Sequence, residues 1–219
     1  AWVKYYRPDE NTPNATVSYY LKGALVALCF DLTLRQQGRS LDVVLRGLWK
    51  HSGGGPITEA DIAEVLAQVA GRRLDAELQA WVHGTGELPV ADLLATLGVR
   101  ALAERAGLAA SLGLRLSEGP VSGVQVKHVL AGSAAAVAGL SAGDELLAID
   151  GWRIRRLDDA QAWMQREQPF SVLLVRDQRV LTCVVQPQPA SPLASTLALQ
   201  LQDMPPRAVA ARRRAWLDA

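Results

Sequence analysis

The sequence lacks a strong net charge of either sign. Among its 219 residues, 23 are lysine or arginine and 22 are aspartate or glutamate, so the formal net charge is +1. This balance provides no general electrostatic basis for binding nucleic acid or an anionic membrane. The locally basic segment lies near the C-terminus, and we interpret it as a solvated helix face. Its members are Arg207, Arg212, Arg213 and Arg214.

Long apolar runs and cysteines are also scarce. No run reaches the roughly 18 residues that a membrane-spanning helix needs, and the N-terminus lacks the layout of a signal peptide. The two cysteines, Cys29 and Cys183, lie in apolar segments of different predicted domains. We therefore expect two small buried residues with no disulfide between them, which leaves the redox compartment undecided.

Histidine is represented by His51, His83 and His128. A zinc site of the His-Glu-x-x-His type needs two histidines four residues apart, so that both face the same side of a helix. No two histidines of this chain have ligand spacing. We predict structural roles for all three and expect no metal ligand in this chain.

The length of the chain and its 49% hydrophobic content favour two domains, and the helices and strands predicted below make the fold class α+β. Residues 1–108 predict an all-helical segment of about five helices, because apolar residues recur there at three- and four-residue spacing. Residues 109–189 predict a domain of short strands, which the motif below identifies further. Residues 190–219 predict a proline-containing linker followed by a C-terminal helix.

Two helix starts carry specific signals. The first helix is predicted from its cap Ser18 to about Gln37, and a third helix begins at the capping pair Thr58 and Asp61. We expect the first helix to be buried, because leucines recur along one face of it. These leucines are Leu21, Leu25, Leu28 and Leu32.

The most informative stretch is residues 139–151. Gly139 ends a short helix of small residues, Gly143-Asp144 makes a turn into the apolar run Leu146–Ile149, and Asp150-Gly151 makes a second tight turn. The pattern Gly-Leu-x-x-Gly-Asp-x-Leu-x-x-Ile-Asp-Gly resembles the strongest signature of bacterial PDZ domains. The resemblance implies a partly open β-barrel with two helices over residues 109–189.

The same resemblance implies a peptide-binding groove. Leu112, Gly113 and Leu114 resemble the carboxylate-binding loop and the start of the edge strand, where a peptide or protein C-terminus adds by β-augmentation. Leu157–Glu167 is the helix expected to wall this groove, and a hairpin around Asp177-Gln178 closes the domain. An alternative of comparable weight is a docking unit whose groove is empty or filled by its own chain.

A second resemblance starts at Ser18-Tyr19-Tyr20-Leu21-Lys22-Gly23-Ala24. Together with Gly84–Pro89, the PDZ motif and Arg213–Leu217, this segment resembles the region that follows the zinc site in the glycyl aminopeptidase family of zinc metallopeptidases. In that family the tyrosine of Tyr-x-Lys-Gly donates a hydrogen bond to the oxyanion formed during peptide hydrolysis, a role that the resemblance assigns to Tyr20. The alternative is that Tyr19 and Tyr20 both pack on the core with wet hydroxyls. We expect Lys22 to be structural, exposed or ion-paired.

The resemblance implies the C-terminal part of a zinc aminopeptidase that prefers N-terminal Gly or Ala. The chain begins at Ala1 without Met, which is typical of an excised fragment or a processed protein. We expect the zinc ligands and general base in an upstream catalytic part, an inactive chain on its own, and export to a bacterial periplasm. The competing hypothesis is a non-enzymatic scaffold that binds partner C-termini. A regulatory PDZ domain from a periplasmic serine protease fits the helical half less well.

Overall fold

The computed structural model describes residues 3, 6–104, 107–165, 167–188 and 196–217. Its contacts divide the chain into two units. The first, here called the β unit, comprises residues 1–17 and 103–197, and the second, the helical unit, comprises residues 18–102 and 198–219. The predicted α+β class is confirmed, with helices followed by an open β-sheet. The predicted linker falls largely on residues 189–195, which lie outside the described residues.

The described helices and strands are named here in chain order. The α-helices are α1 (Thr12–Ala15), α2 (Tyr19–Arg35), α3 (Leu41–Ser52), α4 (Glu59–Ala70), α5 (Asp75–Leu78), α6 (Val90–Ala95), α7 (Leu108–Leu112), α8 (Ala134–Val137) and α9 (Arg207–Leu217). The strands are β1 (Val99–Glu104), β2 (Leu114–Gly119), β3 (Gly123–Val129), β4 (Glu145–Ile149), β5 (Trp152–Arg153), β6 (Phe170–Arg176), β7 (Arg179–Val185) and β8 (Thr196–Leu201). A π-helical turn, Gln79–His83, continues α5, and a 3₁₀ helix spans Leu157–Ala162.

Both predicted helix caps are confirmed. The Ser18 hydroxyl accepts a hydrogen bond from the Leu21 N–H (3.2 Å), which satisfies one free donor at the start of α2. At the start of α4, the Thr58 N–H donates to Asp61 (2.7 Å) and the Asp61 N–H donates back to the Thr58 hydroxyl (3.3 Å). The hydrogen bonds from Thr58 lower the pKa of Asp61.

The core of the helical unit is formed mainly where α2, α3 and α4 meet. Its largest cluster contains Phe30 and Leu34 of α2, Val44 and Leu48 of α3, and Leu66 of α4. A second cluster joins α2 to α6, and Trp216 of α9 packs against it. These contacts bury the C-terminal half of α2. The contact of Trp216 also packs α9 against the helical unit, which the basic sequence of α9 does not indicate.

The prediction that α2 is buried along its leucine face is wrong for its N-terminal half. Leu32 is buried and Leu28 is partly buried, but Leu21 is 68% exposed and Leu25 is 42% exposed. The physical reason is that α3, α4 and α6 supply apolar partners to the later turns of α2, where all of its buried residues lie. The leucine spacing gave the correct helix, but spacing alone does not say what covers each turn.

A two-stranded sheet of β1 and β8 was not predicted. Its strands are separated by the whole region that carries the PDZ motif, and no local pattern specifies such a pairing. The solvated-face interpretation of the C-terminal arginines is also only partly correct. Arg212 donates to the carbonyl oxygen of Thr96 (3.0 Å) and Arg213 to that of Gln202 (3.3 Å), so both help to hold α9 in place.

The main sheet of the β unit has the order β2-β3-β4-β6-β7, all antiparallel, with β5 paired to β4. The turns that the sequence predicts are present. Asp150, Asp177 and Gln178 adopt φ of 47°, 48° and 64°, and such positive values are typical of tight hairpin turns between antiparallel strands. β2 is an edge strand of this sheet. Among the strands that the structure describes, β2 pairs only with β3, so the other side of its backbone has no strand partner.

The Gly143-Asp144 turn contains a buried ion pair. Asp144 is fully buried, and its two carboxylate oxygens accept hydrogen bonds from Arg176 Nε (2.7 Å) and from the Arg176 guanidinium (2.8 Å). The Ser141 N–H donates to the same carboxylate at 2.8 Å, and Arg176 also donates to the carbonyl oxygen of Gly139 at 2.7 Å. The hydrogen bonds with Asp144 raise the pKa of Arg176.

The N-terminal segment belongs to the β unit because it bonds to the end of β3. The Asn14 amide donates to the carbonyl oxygen of Val129 (2.9 Å) and accepts from the N–H of Ala131 (2.8 Å). His128 lies 3.1 Å from the carbonyl oxygen of Glu10 through its Nδ1. These contacts fasten residues 10–14 to the sheet.

The two cysteines are free thiols. Cys29 is buried in α2, where burial raises the pKa of its thiol, and Cys183 is partly buried in β7. They lie in different units, in agreement with the prediction that they form no mutual disulfide. Among the helices that the structure describes, none is both long and apolar enough to cross a membrane.

Candidate functional site

Tyr20 lies in the first turn of α2, two residues after the Ser18 cap. The residue is 54% exposed, Tyr19 is 39% exposed, and their ring centroids are 4.4 Å apart. Because the cap fixes where the helix begins, it also fixes the direction in which Tyr20 leaves the backbone. The tyrosine of the Tyr-x-Lys-Gly motif is therefore held at an accessible position on a rigid element.

Lys22 connects the Tyr-x-Lys-Gly motif to the segment Gly84–Pro89. Its Nζ donates a hydrogen bond to the carbonyl oxygen of Gly84 at 2.8 Å, so it is bonded to the backbone and not to a carboxylate. Gly84 begins the segment Gly84–Pro89, and a Cβ at this position would overlap the carbonyl oxygen of Ala80. Lys22 thus ties the first turn of α2 to the end of the π-helical turn. No sequence signal indicated this contact.

The histidines do not form a metal site in the described part of the chain. His51 lies 3.0 Å from Asp61, and His83 lies 2.6 Å from Glu59. Within the described ranges, no three His, Cys, Asp or Glu side chains are close enough together to hold a metal ion. The donor set that zinc requires, usually three or four protein ligands, is therefore not offered by these residues.

Leu112, Gly113 and Leu114 form the junction between α7 and the edge strand β2. Gly113 adopts φ of 76°, and a Cβ there would overlap the Ser133 side chain, so the position requires glycine for two reasons. The Gly113 N–H donates to the carbonyl oxygen of Ala110 at 3.0 Å, and the Gly113 carbonyl accepts from Leu130 at 2.8 Å. The backbone of Gly113 is therefore already used by the fold.

The backbone N–H and C=O of Leu114 point away from β3, whereas the carbonyl of Gly113 points toward it. Leu114 is opposite Val129, while the hydrogen bond from Leu130 N–H goes to the Gly113 carbonyl. In an antiparallel ladder this arrangement makes Leu114 and Val129 a non-hydrogen-bonded pair. The N–H and C=O of Leu114 consequently point toward the open edge of β2. Of the three predicted binding residues, Leu114 is the one that presents its backbone N–H to the groove.

The opposite wall of the groove is shorter than predicted. The sequence predicts a helix over Leu157–Glu167, but the structure has a 3₁₀ helix that ends at Ala162, and residue 166 lies outside the described residues. Runs of 3₁₀ helix are short because their hydrogen bonds have poor geometry. Met164 then turns into the core, and Trp163 lies 6.2 Å from Trp152, measured between ring centroids.

Glu118 connects the far end of β2 to this wall. Its carboxylate accepts a hydrogen bond from the Leu157 N–H at 2.8 Å and lies 3.4 Å from Arg156 Nε. Sequence reasoning missed Glu118, because the pairing of a strand residue with a helix start 39 positions later has no local signature. The groove is therefore bordered by β2 on one side and by the start of the 3₁₀ helix on the other.

Two family models match the chain. The PDZ domain model matches residues 102–175, and the model described as M61 glycyl aminopeptidase matches residues 1–26. The first range covers most of the β unit, and the second includes the Tyr-x-Lys-Gly motif with Tyr20 and Lys22. No curated protein sequence matches the chain.

One solved structure aligns with nearly the whole of this chain. The crystal structure of an aminopeptidase N family protein from Idiomarina loihiensis aligns with 99% of this chain, with a TM-score of 0.82 and 26% identity. This chain spans 39% of that protein.

Two further solved structures match parts of the chain. The HtrA3 PDZ domain bound to a phage-derived ligand matches with a TM-score of 0.32 and 17% identity, over 47% of this chain and 92% of that one. The serine endoprotease from Yersinia pestis matches with a TM-score of 0.29 and 21% identity, over 41% of this chain and 29% of that one. Scores this low do not establish a common fold over the whole chain. From the family models and the Idiomarina structure, the chain contains a PDZ domain and, in its N-terminal part, a segment that matches the M61 glycyl aminopeptidase family.

Proposed function

We propose that this chain is the C-terminal part of a zinc metallo-aminopeptidase that prefers peptides beginning with Gly or Ala, and that its PDZ domain binds a peptide or protein C-terminus. The observation that carries the first half is the match of residues 1–26 to the M61 glycyl aminopeptidase model. The alignment of nearly the whole chain with an aminopeptidase N family protein supports it.

In this proposal, Tyr20 stabilises the oxyanion that forms when water attacks the peptide carbonyl. The phenol hydroxyl donates a hydrogen bond whose strength increases as negative charge develops on the carbonyl oxygen. The rigid position of Tyr20 after the Ser18 cap supports this role, because a preorganised donor needs no reorganisation during the reaction. Lys22 and its bond to Gly84 maintain the same turn.

The surface around Tyr20 is suited to contact with the upstream catalytic part of the parent enzyme. The exposed residues near it in α2, Leu21, Ala24 and Leu25, are all apolar. Gly23 lies among them, and nothing is within 4 Å of the place where its Cβ would be. Glycine inside a helix costs about 0.5–1 kcal/mol relative to alanine. Close approach by another segment would account for a glycine that the helical unit itself does not require.

Zinc would be held by residues upstream of this chain. Purified alone, the 219-residue chain is expected to contain no stoichiometric zinc and to cleave no peptide that begins with Gly or Ala. Metal analysis by mass spectrometry, together with an aminopeptidase assay in added zinc, tests both points. One tightly held zinc per chain would contradict this part of the proposal.

The open edge of β2 supports the second half of the proposal. A peptide that adds to β2 places its C-terminal carboxylate beside the Leu114 N–H, which points toward the open edge. Peptides with a free carboxylate are therefore expected to shift the NMR signal of the Leu114 amide, and amidated versions are not. The amide of Gly113, which donates to Ala110, serves as the nearby control and should move less. Shifts confined to another face would favour a docking unit.

A further inference from the structure

A cavity of about 730 Å³ lies at the end of β2 opposite to Leu114. Glu118 and Gly119 of β2 line it, together with the start of β4 and the segment Arg153–Arg156 that leads into the 3₁₀ helix. Neither family resemblance assigned a role to these residues. The cavity is therefore separate from the carboxylate end of the groove and continuous with the same edge strand.

The charges that line this cavity are predominantly positive. They are Arg153, Arg155 and Arg156 against Glu118 and Glu145. Glu118 is already engaged by Arg156 and by the Leu157 N–H. In the part of the chain that the structure describes, Arg153 and Arg155 form no ion pair, and both are exposed.

Two carboxylates outside the cavity, Asp158 and Asp159, remain charged and are held by neutral donors at the start of the 3₁₀ helix. Asp159 accepts a hydrogen bond from the Arg156 N–H at 2.9 Å, and Asp158 accepts one from the Gln161 side chain. Glu145, which also lines the cavity, lies beside Gly123. The side chains that line the cavity sum to one positive charge, carried by guanidinium groups that bind carboxylates well.

We infer that this cavity binds acidic side chains of a peptide whose C-terminus lies at Leu114, about four to six residues before that C-terminus. The inference rests on the proposed binding of peptides by the PDZ domain. An extended peptide advances about 3.3 Å per residue. Running antiparallel to β2 from Leu114, its fifth residue from the end reaches Glu118, and the residues before it enter the cavity beside Arg153 and Arg155.

The test uses three fluorescent decapeptides with the same three apolar C-terminal residues. They carry aspartates, serines or lysines at the fourth to sixth positions from the C-terminus, and each is made with a free and with an amidated terminus. With free termini and low salt, the aspartate peptide is expected to bind about tenfold more tightly than the serine peptide, and the lysine peptide more weakly. The difference should shrink as salt is raised, because exposed charges are screened.

Charge-reversal variants locate the effect. Arg153→Glu and Arg155→Glu should each reduce or reverse the preference for aspartate, while the serine peptide still binds and so reports a folded groove. Arg179→Glu is the matched control, since it makes the same change in net charge on β7, at the other edge of the sheet. An equal loss of preference in Arg179→Glu would assign the effect to net charge and overturn the inference.

The remaining outcomes separate this inference from the proposed function. Binding that requires a free carboxylate but ignores charge at positions four to six would leave the groove in place and overturn the acidic preference. Absence of binding by every free-carboxylate peptide would overturn the groove and the inference together. Aspartate peptides that bind equally well when amidated would show charge attraction without the groove, which also contradicts the inference.

Discussion

Replacing Arg176 with methionine is expected to lower the free energy of unfolding of the β unit by about 3–5 kcal/mol. The reason is the position of its partner. Asp144 is fully buried, and its carboxylate accepts both hydrogen bonds that Arg176 offers it. Methionine keeps much of the apolar stem of arginine but leaves a buried carboxylate without its counter-charge. Urea unfolding followed by the NMR intensities of β-unit amides measures the loss in this unit alone.

Two further variants control this experiment. Arg179→Met removes an exposed arginine opposite Arg176 in the β6–β7 hairpin and should change stability by no more than about 0.5 kcal/mol. The double variant Asp144→Leu with Arg176→Met should be more stable than Arg176→Met alone, because it also removes the buried carboxylate that Arg176→Met leaves without a counter-charge. If Arg176→Met were as stable as the parent within about 1 kcal/mol, the pair would behave like a surface ion pair and our account of the turn would be wrong.

The features that the sequence predicted correctly are those with local signals. The Ser18 cap, the Thr58 and Asp61 capping box and the positive-φ turn at Asp177-Gln178 each depend on residues no more than three positions apart. In such cases the chemistry of a few side chains decides the backbone, and tertiary contacts only have to agree with it. The same reasoning explains why residues 139–151 were the most informative stretch of the chain.

The features that sequence reasoning missed depend on distant partners. Asp144 was predicted as a turn residue, but its partner Arg176 is 32 positions away. Lys22 was predicted to be exposed or ion-paired, and it bonds to a carbonyl 62 positions away. The 3₁₀ wall after Leu157 is shorter than its helical pattern predicts because Trp163 and Met164 are drawn to Trp152 and to the core. In each case tertiary packing decides, and no pattern within a short window records it.

The candidate groove illustrates both situations. The family resemblance located Leu112–Leu114, and the structure places these residues where α7 ends and the edge strand β2 begins. Which backbone amide is directed to the groove depends on the pairing of β2 with β3, and the register selects Leu114. Gly113 was included for its resemblance to a binding loop, but its N–H donates a hydrogen bond to the carbonyl oxygen of Ala110. A side chain at this position would also overlap the side chain of Ser133. A substitution at Gly113 would therefore test folding more than binding.

In the full-length enzyme, Tyr20→Phe is expected to reduce kcat by about 10²–10³, which corresponds to roughly 2.7–4 kcal/mol of lost transition-state stabilisation. Phenylalanine keeps the ring, its position after the Ser18 cap and its contact with Tyr19, and removes only the hydroxyl. Because the hydrogen bond strengthens as charge develops on the carbonyl oxygen, its loss should fall on the transition state. We therefore expect little change in KM, measured by steady-state kinetics with a Gly-starting substrate.

Tyr19→Phe is the matched control, since Tyr19 stands beside Tyr20 in the same helical turn and is less exposed. It should leave kcat within a small factor of the parent enzyme. Zinc content and melting temperature should be unchanged in both variants, because neither removes a buried group and the proposal assigns zinc binding to other residues. A near-normal kcat in Tyr20→Phe would mean that the Tyr20 hydroxyl does not stabilise the transition state. The aromatic pair would then be a packing feature of α2, and the family resemblance at Tyr-x-Lys-Gly would not extend to catalysis.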